Sequence, residues 1–570
     1  MLFFQTNGSY SGGLLMSNSS AKGDASYQQI KRLNQIGIAL SSQRDKRQLL
    51  SLILTSAREL TGAEAGTLYI RETGTLYIRE TDVPSLRFDI VQNDRLNINL
   101  GGRDQSPVDN FPPIPLLTED GKPNDKMVVA WSVNNNLTVN IPDAYSHKGF
   151  DFSGTRAFDQ RTGYRSCSFL TVPLSDHDGH VIAALQLINK LNPKGEISTF
   201  TKKDQELAES LASQAAMAII NQRLINEMKT LFDSFTRVIA TAIDSKSPHT
   251  GNHCRRVPDA TLMLAEAACR SRHPAIKDFN MTEADFYELK TAAWLHDCGK
   301  VVTPHHVMEK SRKLETVIDR IGWVEDRLEI LLRDLRINAL ELKMQALEQG
   351  TNVLADLEAL KEREQTLLDD MEFLHHCNIG AEFVTDEDLQ HLERIRNYVW
   401  ADKKGCERFF LTEDEYRNLC IRRGTLNPEE RKIMEGHMTA TLSMLEQLPF
   451  PEHLKNVTEY AVCHHERMDG KGYPRGLSRD QMSIPARIMG IADVFEALTA
   501  PERPYKQPMK LSQALAIMGR MVEDNHLDPD LFQVFVEEKV YMTYGAKHMK
   551  PEQMDEVNLQ ELKGLNRSVV

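Results

Sequence analysis

Residues 253–493 contain histidines and aspartates in short motifs, and their side chains are of the types that bind divalent metals. Imidazole and carboxylate ligands without thiolates favour Fe, Mn or Zn in an active site over a structural zinc site built on cysteines. No two of the eight cysteines stand in a C-x-x-C spacing. The candidate metal ligands are His253, His296, Asp297, His437, His464, His465 and Asp493.

This set is too large for one tetrahedral ion and suits two ions, with Asp297 as a carboxylate between them. Two ions about 3.5–4 Å apart hold a bridging water, lower its pKa toward about 7 and stabilise both oxygens of a displacement at phosphorus. The pattern therefore predicts hydrolysis of a phosphoester. Asp297 is then the central catalytic residue, and Lys300, Arg503 and Lys506 are cations for the phosphate charge.

Each motif also has a simpler explanation when it is taken alone. His296-Asp297 is a pair of the kind that often caps a helix, and His437 lies in an apolar helix, where a histidine is usually a core residue. Adjacent histidines occur three times, at 305/306, 375/376 and 464/465, so the pairing is not diagnostic. Only the last pair is followed by a glycine-tyrosine-proline turn, at residues 472–474.

Helices must position these side chains. The apolar run Ala292–Leu295 leads into His296, and Gly299 is placed to end that helix, so we expect this histidine and the next residue at a partly buried helix terminus. Asp493 interrupts an apolar segment from Ile488 to Leu498. A buried carboxylate needs a partner, and a metal cation supplies one.

Composition limits the class of protein. The chain has 570 residues, which predicts several domains, and a net charge of −13, which argues against a nucleic-acid coat. The scattered cysteines indicate reduced thiols, the N-terminus lacks the basic start of a signal peptide, and no apolar run has the length of a membrane span. We therefore expect a cytoplasmic protein.

Residues 26–222 predict an α+β domain with an antiparallel sheet and flanking helices. Residues 30–60 have helical spacing, and four apolar runs between turn residues predict strands. The octapeptide GTLYIRET occurs twice in succession, at 66–73 and 74–81, which predicts a lengthened strand or hairpin. The predicted strands are Arg87–Gln92, Met127–Val133, Ser168–Leu174 and His180–Lys190.

A helix without glycine or proline is predicted over residues 203–245. Apolar residues recur along it in steps of three and four, which is typical of a coiled coil. We predict a parallel homodimer through this helix; the alternative is an amphipathic helix packed on its own domain. The predicted seam consists of Ile225, Met228, Phe232, Phe235, Ile239 and Ala242.

The C-terminal region resembles the HD-GYP phosphodiesterases, a group of HD metal-dependent phosphohydrolases, through motifs that occur in the family's order. The resemblance implies an all-α domain with two divalent ions, Fe or Mn foremost, bound by the ligands named above. It implies that a water bridging the ions hydrolyses cyclic di-GMP to pGpG and on to GMP; related members prefer cyclic GMP-AMP. The motifs are H-x-x-R-V at 253–257, H-D-x-G-K at 296–300, H-H-E-x-x-D-G-x-G-Y-P at 464–474, I-P-A-R-I at 484–488, A-D-V-F-E-A-L-T at 492–499 and R-P-Y-K at 503–506.

The resemblance assigns the turn after the paired histidines to the substrate pocket, with glycines that admit the ligand near the backbone. It also leaves open whether a third ion binds, because His249 stands where members with three ions carry Glu. One extra residue before the R-P-Y-K motif departs from the family's spacing. The implied substrate contacts are Gly472, Tyr473, Pro474, Arg503 and Lys506.

An insert at residues 315–422 is the largest departure from the family. Its charged helical pattern predicts a coiled-coil hairpin, with helices over 315–348 and 354–375 and a shorter one over 389–400. A hairpin that closes on its own base contributes no metal ligand, so His375, His376 and His391 are expected to be bystanders. Such an arm could dock a protein partner.

The N-terminal domain resembles GAF sensor domains, through AEAGTLYI, FDIVQN, a VPL strand and the segment from Val181 to Asp204. Asn189, Lys190, Phe200 and Asp204 match the signature of cyclic-nucleotide-binding members, but Gln205 replaces the family's Glu. A Lys190–Asp204 ion pair is expected, either at a ligand lid or as a surface pair. The resemblance leaves the ligand open.

Two further classes of function compete with an enzyme. One is a receptor that binds a cyclic dinucleotide with little turnover, and the other is a GAF-controlled scaffold. Intact H-D and G-Y-P motifs favour the enzyme. The predicted bounds are a flexible N-terminus at 1–25, the GAF domain at 26–222, the connecting helix at 203–245, the HD-GYP domain at 228–545 with its insert at 315–422, and a C-terminal tail at 546–570.

Overall fold

A computed structural model describes residues 31–72, 84–102, 106–108, 111–246, 252–380, 383–402, 404–500 and 508–566. Contacts divide the chain into two compact units, Met1–Thr230 and Leu231–Val570. Across those described ranges, no helix is apolar over a length that could cross a membrane. Five predicted features lie outside them: the flexible N-terminus, the second GTLYIRET copy, His249, Arg503 and Lys506.

The N-terminal unit contains the predicted antiparallel sheet with helices beside it. The strand order is β3-β2-β1-β7-β6-β5, with β4 beside β2 and β8 beside β7. Three of the four predicted strands are present, as β2, β6 and β7. The helices are α1 over residues 31–42, α2 Lys46–Thr61, α3 Val128–Asn135 and α4 Ser153–Thr162, and the strands are β1 Ala63–Glu72, β2 Ser85–Asn93, β3 Ile98–Leu100, β4 Ile114–Pro115, β5 Val139–Ile141, β6 Phe169–Ser175, β7 Val181–Leu191 and β8 Ile197–Ser198.

Two local predictions for this unit were wrong. The segment Met127–Val133 is the helix α3 rather than a strand. A short apolar run is compatible with either element when it is buried, and here the left-handed Asn136 caps a helix whose apolar residues face the core. The helix predicted over residues 30–60 is interrupted before Asp45, whose carboxylate caps the start of α2.

Helix α5, Lys202–Lys246, follows the sheet as predicted. The C-terminal unit is otherwise helical, apart from a two-stranded ribbon. Its largest core forms among α6, α7 and α14–α18, where the ring of Phe495 contacts those of Phe535 and Tyr544. Its elements are α6 His253–Arg270, α7 Glu283–Leu295, α8 His305–Met308, α9 Ile321–Gln349, α10 Leu354–Asn378, α11 Asp386–Arg396, α12 Glu413–Leu419, α13 Pro428–Leu445, α14 Val457–Val462, α15 Ile484–Thr499, α16 Leu511–Glu523, α17 Pro529–Glu537, α18 Val540–His548, and strands β9 Val399–Ala401 and β10 Glu407–Phe409.

The insert contains two long helices, α9 and α10, which are antiparallel. Ion pairs of 2.9 Å join Arg336 to Glu364 and His375 to Glu325, so the positions at equal distance from the turn face each other. Gly350, with a φ of 66°, ends α9. The insert has its own hydrophobic core. A coiled-coil geometry for the pair remains a prediction.

The third helix of the insert differs from the one predicted over 389–400. Helix α11 ends at Arg396, and Val399–Ala401 pairs with Glu407–Phe409 as a β-ribbon. The carboxylate of Asp402 accepts hydrogen bonds from two backbone amides in the connecting turn. Such Asx turns compete with helix continuation, and the aromatic residues beside this turn favour a strand.

The insert returns close to where it leaves the domain. The hydroxyl of Thr425 donates to the carbonyl of Lys310 at 2.8 Å. Lys313 is fully buried, and its ammonium donates to the carbonyl of Leu419 at 3.1 Å. The base of the insert is therefore built into the domain rather than attached to its surface.

The predicted C-terminal tail packs against the helical unit. Helix α18 continues to His548, and Leu562 is buried in the main core. The amide of Gln553 donates to the carbonyl of Thr499 at 2.9 Å. These contacts extend the compact unit past the predicted bound at residue 545.

Candidate metal centre

The predicted ligands that the structure describes meet in the C-terminal unit as two adjoining groups. Within each group, one ligand atom from every residue lies within 4.8 Å of the others. All are buried except His465, which is partly exposed. One group contains Asp297, His437, His464 and His465, and the other contains His253, His296 and Asp493.

Asp297 lies between the two groups. Its Oδ2 atom is 3.4 Å from Nε2 of His253 and 3.2 Å from Nε2 of His296. Its Oδ1 atom is 3.5 Å from Nε2 of His437 and 4.0 Å from Nε2 of His464. One carboxylate oxygen therefore faces each group, which is the position of a ligand shared by two ions.

Close packing of one loop on α13 brings Asp297 beside His437. Helix α7 ends at Leu295, and the 3₁₀ turn Cys298–Val302 follows the His-Asp pair. The backbone N–H of Gly299 donates to the hydroxyl of Thr441 at 2.9 Å. A Cβ on Gly299 would lie 2.0 Å from the carbonyl oxygen of His437, so only glycine fits here.

Local carbonyl groups orient three of the imidazoles. Nδ1 of His296 lies 2.8 Å from the carbonyl oxygen three residues earlier, and Nδ1 of His464 has the same contact at 2.6 Å. His437 also contacts the carbonyl three residues earlier. A ring that donates from Nδ1 keeps Nε2 unprotonated for a metal. In each case Nε2 faces Asp297.

Several of these inward-facing atoms have no hydrogen-bond partner. Oδ1 of Asp297, Nε2 of His437 and Nε2 of His464 are buried and unpartnered among the described residues. Buried polar atoms are normally paired, because desolvation without compensation is costly. Imidazole nitrogens and a carboxylate oxygen that converge on one space fit a divalent cation.

Burial and charge favour the ligand forms of Asp297, His464 and His465, whereas the carboxylates near His253 and His296 outweigh burial and raise the pKa of both histidines. Burial, helped by His296, lowers the pKa of His464 to about 4, and burial lowers that of His465 well below its usual value. Burial would raise the pKa of Asp297, but Lys300 and the histidines around it hold that pKa well below the usual range. Neutral imidazoles and an ionised carboxylate are the states that bind metals.

Lys300 contacts the centre through Asp297. Its Nζ lies 2.5 Å from Oδ2, and this carboxylate raises the pKa of Lys300 to about 12 although burial opposes the shift. We expected Lys300 to offset phosphate charge. In this arrangement the ammonium holds one oxygen of the shared carboxylate.

The turn after the paired histidines packs on the centre. The ring of Tyr473 stacks on His465 with centroids 4.8 Å apart. A Cβ on Gly472 would lie 2.4 Å from Cα of Glu466, so this glycine permits backbone packing within the turn. The expected contact of this glycine with a ligand remains a prediction. The Tyr473–Pro474 peptide bond is cis.

Sequence reasoning missed two buried glutamates. Glu466 accepts hydrogen bonds from the amides of Arg475 and Leu477, at 2.8 and 2.9 Å, and so fixes the turn. Glu496 contacts His253 and Arg256. Its signal in the sequence is its position three residues after Asp493, on the same face of an apolar helix.

Two of the three histidines expected to be bystanders have identified partners in the insert. His375 pairs with Glu325, and Nε2 of His391 lies 2.6 Å from Asp370. Neither belongs to a group of potential metal ligands in the described ranges.

The N-terminal unit contains a separate cavity of about 320 Å³. Tyr69, Phe88, Phe152 and Phe169 contribute aromatic walls. Asp151 is the only side chain with a full charge among its described lining residues. The cavity is therefore mainly apolar.

The expected Lys190–Asp204 ion pair is present, at 2.6 Å. Lys190 also donates to the carbonyl of Thr61 at 2.9 Å, and the carboxylate of Asp204 accepts from the amide of Thr201. These contacts tie the end of β7 to the start of α5. Neither residue of the pair is among those that line the cavity, which argues against a lid.

Comparisons with known proteins agree with the division of the chain into two compact units. A GAF domain model matches residues 45–219, and an HD domain model matches residues 414–531. The HD domain implies divalent metal binding, in agreement with the geometry of the ligand groups.

Two curated relatives match part of the chain. The 3'3'-cGAMP-specific phosphodiesterase 1 of Vibrio cholerae is 42% identical over 113 residues, which are 20% of this chain and 25% of that protein. The cyclic di-GMP phosphodiesterase of Thermotoga maritima is 30% identical over 209 residues, 34% of this chain and 53% of that protein. The chain thus spans about a quarter to a half of the length of these relatives.

Among solved structures, a GAF domain/HD domain protein from Geobacter sulfurreducens is 16% identical to this chain. The match covers 32% of this chain and 98% of that protein's chain, with a TM-score of 0.22.

The GAF and HD domain models match separate segments of the sequence, one in each compact unit. The chain therefore contains a GAF domain followed by a helical HD domain.

Proposed function

We propose that this protein is a metal-dependent phosphodiesterase that hydrolyses a cyclic dinucleotide. The observation that carries the proposal is the pair of buried ligand groups on either side of Asp297, one of which holds three ligand atoms without a hydrogen-bond partner. Two carboxylate oxygens that face separate imidazole groups suit a pair of ions. The names of the relatives, which act on cyclic di-GMP or 3'3'-cGAMP, support the substrate class.

The residues divide into two metal sites. His253, His296 and Asp493 would hold one ion, and His437, His464 and His465 the other, with Asp297 shared between them. When bound, the ions supply a water of lowered pKa and offset the charge of a phosphodiester. Iron or manganese suits this mixture of imidazoles and carboxylates.

The protein's own groups hold and shield this centre. Lys300 fixes one oxygen of Asp297, and carbonyl contacts hold the imidazoles with Nε2 inward. The ring of Tyr473 stacks on that of His465 and covers one face of it. We propose that Tyr473 and Pro474 also contact the nucleotide, with Arg503 and Lys506 near its phosphates.

The choice between two substrates is a question for experiment. Cyclic di-GMP is the substrate implied by the family, and 3'3'-cGAMP is favoured by the 42% identity with the Vibrio cholerae enzyme. We expect full-length protein purified without oxygen and loaded with Fe²⁺ or Mn²⁺ to hydrolyse at least one of them to a linear dinucleotide. Chromatography of the products and metal analysis measure this.

Chelator-treated protein is the control, and it should lose turnover and regain it when the metal is restored. Tight binding of a cyclic dinucleotide without hydrolysis would contradict the proposed enzymatic function and favour a receptor that only binds the nucleotide. Neither binding nor hydrolysis with either nucleotide would reject the proposed substrate class.

We infer that the GAF cavity takes a neutral, mainly apolar ligand that regulates the HD domain. The aromatic walls offer stacking and dispersion contacts. The buried amide of Gln186, one of the lining residues, is already hydrogen-bonded to Tyr69 and Thr171, so it needs no polar atom from a ligand. The described lining offers no lysine or arginine for a phosphate, which argues against a cyclic nucleotide.

We also propose a parallel homodimer through α5, with a seam different from the one predicted. Phe232 packs partly buried against the helical core, and Ala240 and Ile243 are buried there. The exposed apolar residues lie on another face in steps of four and three, with Asn221 at one inward position. In parallel coiled coils, a single Asn at such a position specifies the register and the oligomeric state. The seam is Met217, Asn221, Leu224, Met228, Leu231, Phe235, Val238 and Ala242.

The dimer is tested by Leu231→Asp. Leu231 is 57% exposed, so the charge should leave the fold intact and convert dimers to monomers, because it removes an inward apolar contact between copies. Light scattering at micromolar concentration measures the mass. Asn226→Asp, on the outer face of the same helix, is the matched control and should remain dimeric. A monomeric wild type would contradict the proposal.

A protein partner for the insert and a cytoplasmic location complete the proposal. Apolar residues Ile337, Leu340, Met344 and Leu347 form an exposed stripe on α9, which suits protein docking. All eight cysteines are free thiols, in keeping with a reducing compartment.

A further inference from the structure

The two carboxylates of α15 that face His253 contact opposite edges of its ring. Nε2 of His253 lies 3.2 Å from Oδ1 of Asp493, on the side of the proposed ions. Nδ1 contacts Oε2 of Glu496 on the other side. His253 therefore differs from His296, His437 and His464, whose Nδ1 atoms contact backbone carbonyls.

Arg256 fixes the second oxygen of Glu496. Its Nε lies 2.6 Å from Oε1, and both side chains are buried. A guanidinium can only donate, so Oε1 must accept, and the other oxygen remains as the acceptor for Nδ1–H of His253. Arg256 and His253 lie three residues apart on α6, so both side chains reach the carboxylate of Glu496.

We propose that Glu496 is a positioning residue, held by Arg256, that keeps the proton of His253 on Nδ1 and leaves Nε2 as a metal ligand. The inference rests on the proposed metal centre and assigns a role to the arginine of the H-x-x-R-V motif and to the glutamate of A-D-V-F-E-A-L-T. Neither side chain is a metal ligand in this assignment.

Glu496→Gln gives a sharp test, because an amide has one acceptor and one donor group. Arg256 requires the amide oxygen, so the NH₂ group must face Nδ1 of His253. Nδ1 then accepts, the proton moves to Nε2, and the ring cannot ligate. We expect at least about a tenfold loss of Mn²⁺ affinity, the scale found for groups that orient metal ligands.

Removal of Arg256 in the same protein should reverse part of this loss. In the double variant Arg256→Met with Glu496→Gln, the amide is free to turn its oxygen toward Nδ1–H. We expect the double variant to bind Mn²⁺ several-fold more tightly than Glu496→Gln alone. A merely structural role for Glu496 predicts the opposite, since a second buried substitution adds damage.

Mn²⁺ affinity is measured on the full chain by competition with a fluorescent chelator, and unfolding of the chelated protein is followed by circular dichroism. Glu288→Gln is the matched control, a buried glutamate of the same core that accepts from the backbone N–H and side-chain amide of Asn456; it should retain wild-type affinity. If Glu496→Gln fails to fold, Glu496→Asp replaces it, and its shorter carboxylate should also weaken binding.

Wild-type affinity in Glu496→Gln, or a double variant no better than the single one, overturns the positioning role and leaves the proposed function intact. A wild-type protein without Mn²⁺ affinity overturns both.

Discussion

Asp297→Asn is expected to abolish hydrolysis and to lower bound metal, with the largest effect of any single substitution proposed for this chain. Asp297 is 2% exposed, and its two oxygens face both groups of ligands. An amide has similar size but no charge, so it cannot bridge two cations. Because groups that only orient ligands alter metal affinity by about 10- to 100-fold, we expect loss of a shared ligand to exceed about 100-fold.

Turnover and metal content are measured on the same preparation. Asp370→Asn is the control, since Asp370 is equally buried but lies in the insert, where it pairs with His391 and Arg394. That variant should retain both metal and activity. Full turnover with unchanged metal in Asp297→Asn would remove the shared carboxylate from the mechanism.

Gly299→Ala should reduce turnover nearly as much, although Gly299 has no side chain that could contact a metal ligand. The added carbon would lie 2.0 Å from the carbonyl oxygen of His437 and 2.5 Å from the amide nitrogen of Thr441. Both are backbone atoms of α13, so the helix must move and take His437 with it. Overpacking costs about 1–3 kcal/mol, and a 1 Å misplacement at a reacting centre costs about 100-fold in rate.

Gly436→Ala is the matched control for this substitution. Gly436 precedes His437 on the same helix, and a Cβ there meets no atom within 4 Å. Alanine in an exposed helix should stabilise the protein by about 0.5–1 kcal/mol and leave turnover unchanged. Measurements of thermal unfolding and of steady-state turnover distinguish the Gly299→Ala and Gly436→Ala variants. Wild-type turnover in Gly299→Ala would show that the contact between the H-D loop and α13 does not position the centre.

The chemistry of the site was predictable from residue types and their order. An imidazole or a carboxylate brings its donor atoms wherever the fold places it, so the number of candidate ligands, among them His296, Asp297 and His464, already predicted two ions. The strands β2, β6 and β7 were predicted for a similar reason, because apolar runs between turn residues encode a local preference that burial reinforces.

Tertiary contacts decided the features that local pattern leaves open. The segment at α3 is apolar enough for strand or helix, and its packing determines which forms. The seam on α5 could be drawn along two overlapping sets of residues, and the position of Phe232 against the helical core distinguishes them.

The same distinction applies to the metal centre. The sequence by itself determined which side chains could bind metal, because donor chemistry belongs to the residue. The structure decided how these side chains are held. Gly299 packs against α13, and Glu466 fixes the turn that follows the paired histidines. Glu496 lies against His253 although 243 positions separate them in the chain. Orientation and protonation arise from such long-range contacts, because they depend on the atom that packs against each ring.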